Sequence, residues 1–186
     1  HLAAPPRTEA TVAGTLRNLA RIRAVTGMAP ALENIATLID PPGSDLEEPA
    51  WSVAIVREAG AGMLLDLHNL FANALNGGRD PAAFLMEFPL ERVTQVHLSG
   101  GHWIPEPVRY AREPGGMRLL DDHIHDPPDA VYALLETLAR SVPQPLTVIV
   151  NHLRSLNGND DPLDSRVRFK RAEQAMELAN LVNSLQ

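Results

Sequence analysis

The sequence predicts an α/β fold built on a parallel sheet, and three observations carry that expectation. Short apolar runs rich in strand formers alternate with stretches of helical period. One of these runs, Met63-Leu64-Leu65-Asp66-Leu67, is almost continuously apolar, as a strand covered on both faces requires. The chain has 186 residues, 45% of them hydrophobic, which is enough to bury one ordinary core.

The elements follow in order. After Pro5-Pro6, Thr8 is a candidate cap for a helix that carries Val12, Leu16, Leu19 and Ile22 at three- and four-residue spacing until Gly27 stops it. A strand is expected over 29–35. Ser44-Asp45-Leu46-Glu47 has the form of a capping box, with Pro49 as an alternative first helical residue, and Trp51, Ala54, Ile55 and Glu58 continue that helix to Gly60 or Gly62. The strand at 63–67 comes next, and Asp80-Pro81 then opens another helix. Val93 to Leu98 reads as the third strand, and 100–116, rich in Gly and Pro, reads as a long loop. Val131, Leu134, Leu135 and Leu138 lie in the register of a helix docked on a sheet, and Leu146 to Val150 is the last strand. The polar stretch Asn157 to Asp164 reads as a linker. Phe169, Ala172, Met176, Ala179 and Val182 mark a C-terminal helix. The expectation is about four strands and five helices.

Composition narrows the function. With 16 Lys and Arg against 23 Asp and Glu, the net charge of −7 repels a phosphate backbone, so nucleic acid is not an expected partner. No apolar run reaches membrane-spanning length. The absence of cysteine removes a thiolate nucleophile, a disulfide scaffold, a Cys-ligated zinc and an iron–sulfur cluster, and it fits the cytoplasm. Any metal must therefore sit on His, carboxylate or amide ligands. The chain starts at His1 with no basic n-region and no apolar h-region, so it reads as cut from something longer rather than as a secretory precursor.

Potential ligands fall at the strand ends. Glu33, Asp66 and His97 stand near the ends of the first three strands, and in parallel α/β folds those ends converge on the active-site face. Carboxylate oxygen with imidazole nitrogen suits iron, manganese or zinc with open positions. Asn69 is a candidate through its amide oxygen, against the alternative of a turn residue. Asp121-Asp122-His123-Ile124-His125-Asp126 packs three carboxylates and two imidazoles into one loop, where Asp126 could instead cap the following helix. His68 reads as a packed or surface histidine, His102 and Trp103 as a substrate cover or ordinary loop packing, and Arg109, Arg112 and Arg118 as solvated surface, with binding of an acidic partner as the alternative. His152, after the last strand, is a further candidate ligand.

These residues carry a family resemblance. Ala31-Leu32-Glu33-Asn34-Ile35-Ala36, Leu64-Leu65-Asp66-Leu67-His68-Asn69-Leu70, Val96-His97-Leu98-Ser99-Gly100-Gly101 and Leu119-Leu120-Asp121-Asp122-His123 resemble, in order and spacing, the multinuclear non-heme iron-dependent oxidative enzymes of the methanobactin-biosynthesis B type, formerly a domain-of-unknown-function family. The resemblance runs from about His1 to Val150. It implies a (β/α)8 TIM-type barrel, of which residues 1–156 hold the C-terminal half, whereas 157–186, read above as a linker and helix, does not resemble the family closely. It further implies two or three irons, dioxygen as co-substrate, and oxidation of cysteine residues in a ribosomally made precursor peptide that a small partner protein delivers. The implied ligands are Glu33, as bridging carboxylate, with Asp66, Asn69, His97, Asp121 and His123.

Two departures qualify the transfer. The family's first barrel strands and two histidine ligands have no counterpart here, so a half-barrel needs the missing half, a second copy of itself or another chain. The family's final Glu ligand is replaced by Asn151, followed by His152. Two other readings remain open: a divalent-metal sugar isomerase or phosphoesterase on a similar barrel, and a degenerate peptide-binding paralogue without catalysis.

Overall fold

The computed structural model describes residues 4–106 and 116–149. Four strands, β1 (Leu32–Glu33), β2 (Met63–Asp66), β3 (Val93–His97) and β6 (Thr147–Ile149), form one parallel sheet in that spatial order. Each new strand is added at the same edge, with no reversal of order. That order is compatible with a segment of a β/α barrel.

The helices arise where local sequence dictates. Helix α1 (Glu9–Thr26) is capped by Thr8, whose hydroxyl accepts from Thr11 N, and it ends at Gly27 in the left-handed region at φ 77°. Helix α2 (Glu48–Ala59) corrects one expectation. Its N-cap is Glu47 without a side-chain bond and Pro49 lies in its first turn, whereas the Ser44 hydroxyl accepts from Arg7 N and donates to the Pro41 carbonyl. The 44–47 box therefore closes a loop rather than capping a helix. Trp51 Nε1 donates to Thr11 Oγ1 at 3.0 Å and ties α2 to α1.

Helix α3 (Leu67–Asn76) was not expected, because the periodic residues Leu67, Leu70 and Ala74 run straight on from a strand with no intervening turn residue. Asp66 is at once the last residue of β2 and the N-cap of α3, accepting from Asn69 N at 2.8 Å. Along α3, Asn69, Asn73 and Asn76 occupy one face. They bond the Asn34 carbonyl, Thr37 N with the Ile35 carbonyl, and both backbone groups of Leu119. Helix α4 (Pro81–Leu85) has Asp80 as its cap and Pro81 at its start, as the sequence predicts.

The stretch 100–116 read as a loop contains a strand at its start, and a second strand follows it directly. β4 (Gly101–Pro105) and β5 (Met117–Asp121) pair antiparallel, with Gly101 opposite Asp121. The Gly and Pro content concealed an edge hairpin that Asn76 pins to α3. Helix α5 (Asp129–Ser141) is capped by Pro128 rather than Asp126. Arg118 is also not solvated surface. It is 7% exposed, with its guanidinium donating to Glu106 at 2.6 Å and to the Leu38 carbonyl. Arg109, Arg112, Asn151, His152 and the expected C-terminal helix lie outside the described residues.

The core lies between the sheet and α3, α4 and α5. Leu65, Val93 and Val96 from the strands meet Leu67, Leu70, Phe84, Leu85, Val131, Leu135 and Leu138 from the helices. This packing holds the strand ends on one rim.

Glu48 is a titratable group away from that rim. Burial pushes its carboxyl up to about 7, outweighing the hydrogen bond from Asn73 and the charge of Arg7. A folded-state pKa above the unfolded one means that this contribution is fully present below about pH 4.5 and is lost as pH rises through about 7. Glu48→Gln keeps the acceptor for Asn73 and removes the titration. We expect the wild type to lose about 2–3 kcal/mol more than this variant between pH 5 and pH 8. Urea midpoints measured at both pH values check this, and parallel pH profiles would refute it.

Candidate metal centre

Parallel pairing brings the candidate ligands together. β1, β2 and β3 end on Glu33, Asp66 and His97, and Asp66 is directly in register with His97. His97 Nδ1 lies 2.8 Å from Asp66 Oδ2 and 3.4 Å from Glu33 Oε1. Asp121, ending β5, and His123, two residues on, arrive from the hairpin. The rings of His97 and His123 meet edge to face at 5.3 Å between centroids. One ligand atom from each of Asp66, His97 and His123 falls within a mutual 4.8 Å, the scale of a shared ion.

Each carboxylate is held by donors. Asp66 is fully buried. Its oxygens accept from Asn69 N and lie 3.2–3.3 Å from the Ser99 hydroxyl. Asn34 holds Asp66 in line by acting as a spare peptide group: its Nδ2 donates to the Asp66 carbonyl and its Oδ1 accepts from Asp66 N. Asp121 faces His68 Nδ1 at 2.9 Å, His123 Nδ1 at 3.1 Å and Ser99 Oγ at 3.0 Å. Burial pushes the Asp121 carboxyl up, but the hydrogen bonds from His123 and His68 prevail and hold it well below the usual carboxylate range. The same bond raises the His123 imidazole against the effect of its own burial.

Asn69 shows that the donor set suits a cation. Its amide nitrogen donates to the Asn34 carbonyl, whereas its Oδ1 is buried and has no hydrogen-bond partner. Asn69 also lines an open cleft of about 410 Å³ with Glu33, Asp121, Asp122 and His123. An orphaned buried acceptor beside carboxylates and imidazoles, with no opposing cation, is costly unless a positive ion satisfies it. Hard oxygen with imidazole nitrogen fits iron, manganese or zinc.

All six candidate ligands thus border one rim, with Glu33 on its open side at 41% side-chain exposure. Sequence reasoning missed Asn34, His68 and Ser99 as positioning residues. Asn34 and Ser99 stand beside candidate ligands in the quoted motifs, but their partners belong to other elements, which periodicity does not reveal. Ser99 has one proton to share between two carboxylates. Ser99→Ala is expected to destabilise the metal-free chain by about 1–3 kcal/mol, read by urea denaturation, and an unchanged midpoint would refute that role.

The sequence model of the family described as RiPP precursor modification enzyme MbnB/TglH/ChrH matches residues 1–153. Among curated relatives, a UPF0276 protein of Anaeromyxobacter sp. strain Fw109-5 is 32% identical over 136 residues, covering 73% of this chain and 44% of the relative. A UPF0276 protein of Streptomyces avermitilis is 33% identical over 145 residues, covering 78% of this chain and 28% of the relative. One from Caulobacter sp. strain K31 is 31% identical over 146 residues, covering 77% and 49%. The chain therefore spans about a quarter to a half of the length of these relatives. Among the described residues, no helix is long and apolar enough to cross a membrane.

Proposed function

Because this chain belongs to the MbnB/TglH/ChrH family of RiPP precursor modification enzymes, we propose that it forms the metal-binding strand ends of an iron- and dioxygen-dependent oxidase acting on cysteine residues of a ribosomally made precursor peptide. The observation that carries this reading is the convergence of Asp66, His97 and His123 beside the unpartnered Asn69 Oδ1. Glu33, Asp66, Asn69, His97, Asp121 and His123 would hold two or three irons, with Glu33 as the bridging carboxylate. Bound iron would supply a Lewis acid for a substrate thiolate and a redox centre through which dioxygen, the oxidant, takes electrons from the peptide cysteine.

The chain's own residues do the positioning. Asn34 fixes the Asp66 backbone, Asn69 N and Ser99 hold its carboxylate, and His68 and Ser99 hold that of Asp121, so the donors are set before substrate arrives. Glu33, on the open side, stands where a peptide thiol has access. The precursor peptide would be delivered by a small partner protein in the cytoplasm, and the remainder of the barrel would come from preceding chain or from a second copy.

The test is elemental analysis of protein purified without oxygen, followed by incubation with a cysteine-containing precursor peptide in an oxygen electrode. Two or more iron equivalents, dioxygen uptake and a mass change in the peptide are expected. An absence of bound transition metal would overturn the reading. Turnover of a sugar or phosphoester without dioxygen would replace it with the isomerase or phosphoesterase alternative, whose donor set is the same. Peptide binding by a metal-free chain would replace it with the non-catalytic paralogue.

A further inference from the structure

Beside the first centre lies a second convergence of ligand types that the proposed activity does not use. The stretch Asp121-Asp122-His123-Ile124-His125 divides its side chains between two places. Asp121 and His123 turn to the first centre, whereas Asp122 and His125 meet His102 of β4. His123 itself adopts a positive φ of 56°, uncommon outside Gly, Asn, Asp and His, and this bend allows the split.

The second cluster is built around one carboxylate. Asp122 Oδ1 accepts from Ile124 N at 2.9 Å and His125 N at 3.2 Å, which fixes the group. Its Oδ2 is left to face two imidazoles, His102 Nδ1 at 2.6 Å and His125 Nδ1 at 2.7 Å. The two rings lie 4.9 Å apart between centroids, and ligand atoms of all three residues fall within a mutual 4.8 Å. Asp122 is largely covered, while the His102 and His125 side chains are 42% and 54% exposed, so the triad opens to solvent on its imidazole side.

We propose that His102, Asp122 and His125 form a second metal site, independent of the first centre, that takes a borderline divalent transition ion such as Zn2+. Two imidazoles and one carboxylate exclude Mg2+ and Ca2+, which take oxygen ligands, and three protein ligands with solvent in the remaining position match open zinc sites. The site shares no ligand with the first centre. It bridges β4 to the turn after β5, so an ion there holds in place the segment that carries Asp121 and His123.

Zn2+ titration of the metal-stripped full chain against a chromophoric chelator tests this, comparing the wild type with His102→Ala/His125→Ala. Both histidines are exposed, so the variant is expected to keep its fold, with circular dichroism as the control. The variant should lose one Zn2+ equivalent, or bind it at least roughly 100-fold more weakly, whereas a separate sample of it purified without oxygen and not stripped should carry as much iron as the wild type. Cu2+ electron paramagnetic resonance gives a second readout: hyperfine splitting from two nitrogens in an Asp66→Asn/His97→Ala background, lost when His102 and His125 are also removed. Equal Zn2+ stoichiometry and affinity in wild type and variant would overturn the second site, whatever the iron content. Absence of iron with the Zn2+ difference intact would overturn only the oxidase reading.

Discussion

Asp66→Asn is expected to abolish iron retention while leaving the fold in place. The substitution is isosteric, and an asparagine oxygen still accepts from Asn69 N, so the cap of α3 survives. What it removes is the negative charge at a fully buried position between His97 and Ser99, where no water can replace it. The neutral amide is a far weaker ligand, and its Nδ2 would stand as a donor opposite the His97 imidazole. Iron content by plasma mass spectrometry should fall from two or more equivalents to below one, with thermal unfolding cooperative. Full iron retention in Asp66→Asn would place the metal elsewhere and remove the basis of the proposed chemistry.

Gly100→Ala should have the largest effect on structure. A Cβ at this position would lie 2.1 Å from the His125 carbonyl oxygen and 2.5 Å from that of Asp126. Both contacts are to backbone, which has no rotamer to turn away. Gly100 also supplies the carbonyl that accepts from Asp122 N and His123 N, so displacing the chain here moves the turn that carries both. We expect a cost of about 3 kcal/mol or more, the upper range for overpacking, together with loss of metal from both centres. Gly101 is equally confined, its missing Cβ facing the Leu120 carbonyl oxygen at 2.0 Å and His68 Cε1 at 2.6 Å. Urea denaturation and metal analysis of Gly100→Ala check the prediction, and a stable variant with full metal content would contradict it.

Much of this architecture was legible because it is written locally. Thr8 and Gly27 bound α1, Asp80-Pro81 starts α4, and the apolar runs at 63, 93 and 146 become the strands β2, β3 and β6. The failures share a cause. The 44–47 segment has capping-box letters, but its serine is taken by the Arg7 backbone N–H and the Pro41 carbonyl rather than by the first turn of α2. Helix α3 was hidden because Asp66 ends a strand and caps a helix in one residue. The hairpin of β4 and β5 was hidden because its glycines serve close backbone approach rather than a turn. In the first and third cases a tertiary contact supplied the meaning of the residue, and in the second one residue had to serve two elements at once.

By itself the sequence determined the residue types available for chemistry: no thiolate anywhere, and Glu33, Asp66 and His97 at the ends of successive strands. That follows from local propensity and from the rule that parallel strands align their ends. Only the tertiary structure decided which of these groups face one another and with what charge. Asn34 replaces a peptide group beside Asp66, His68 and Ser99 hold Asp121, and adjacent residues Asp121 and Asp122 serve different clusters. Hydrogen-bond partners 20 to 53 residues apart are set by packing of the sheet against α3 and the hairpin, and no local pattern along the chain encodes them.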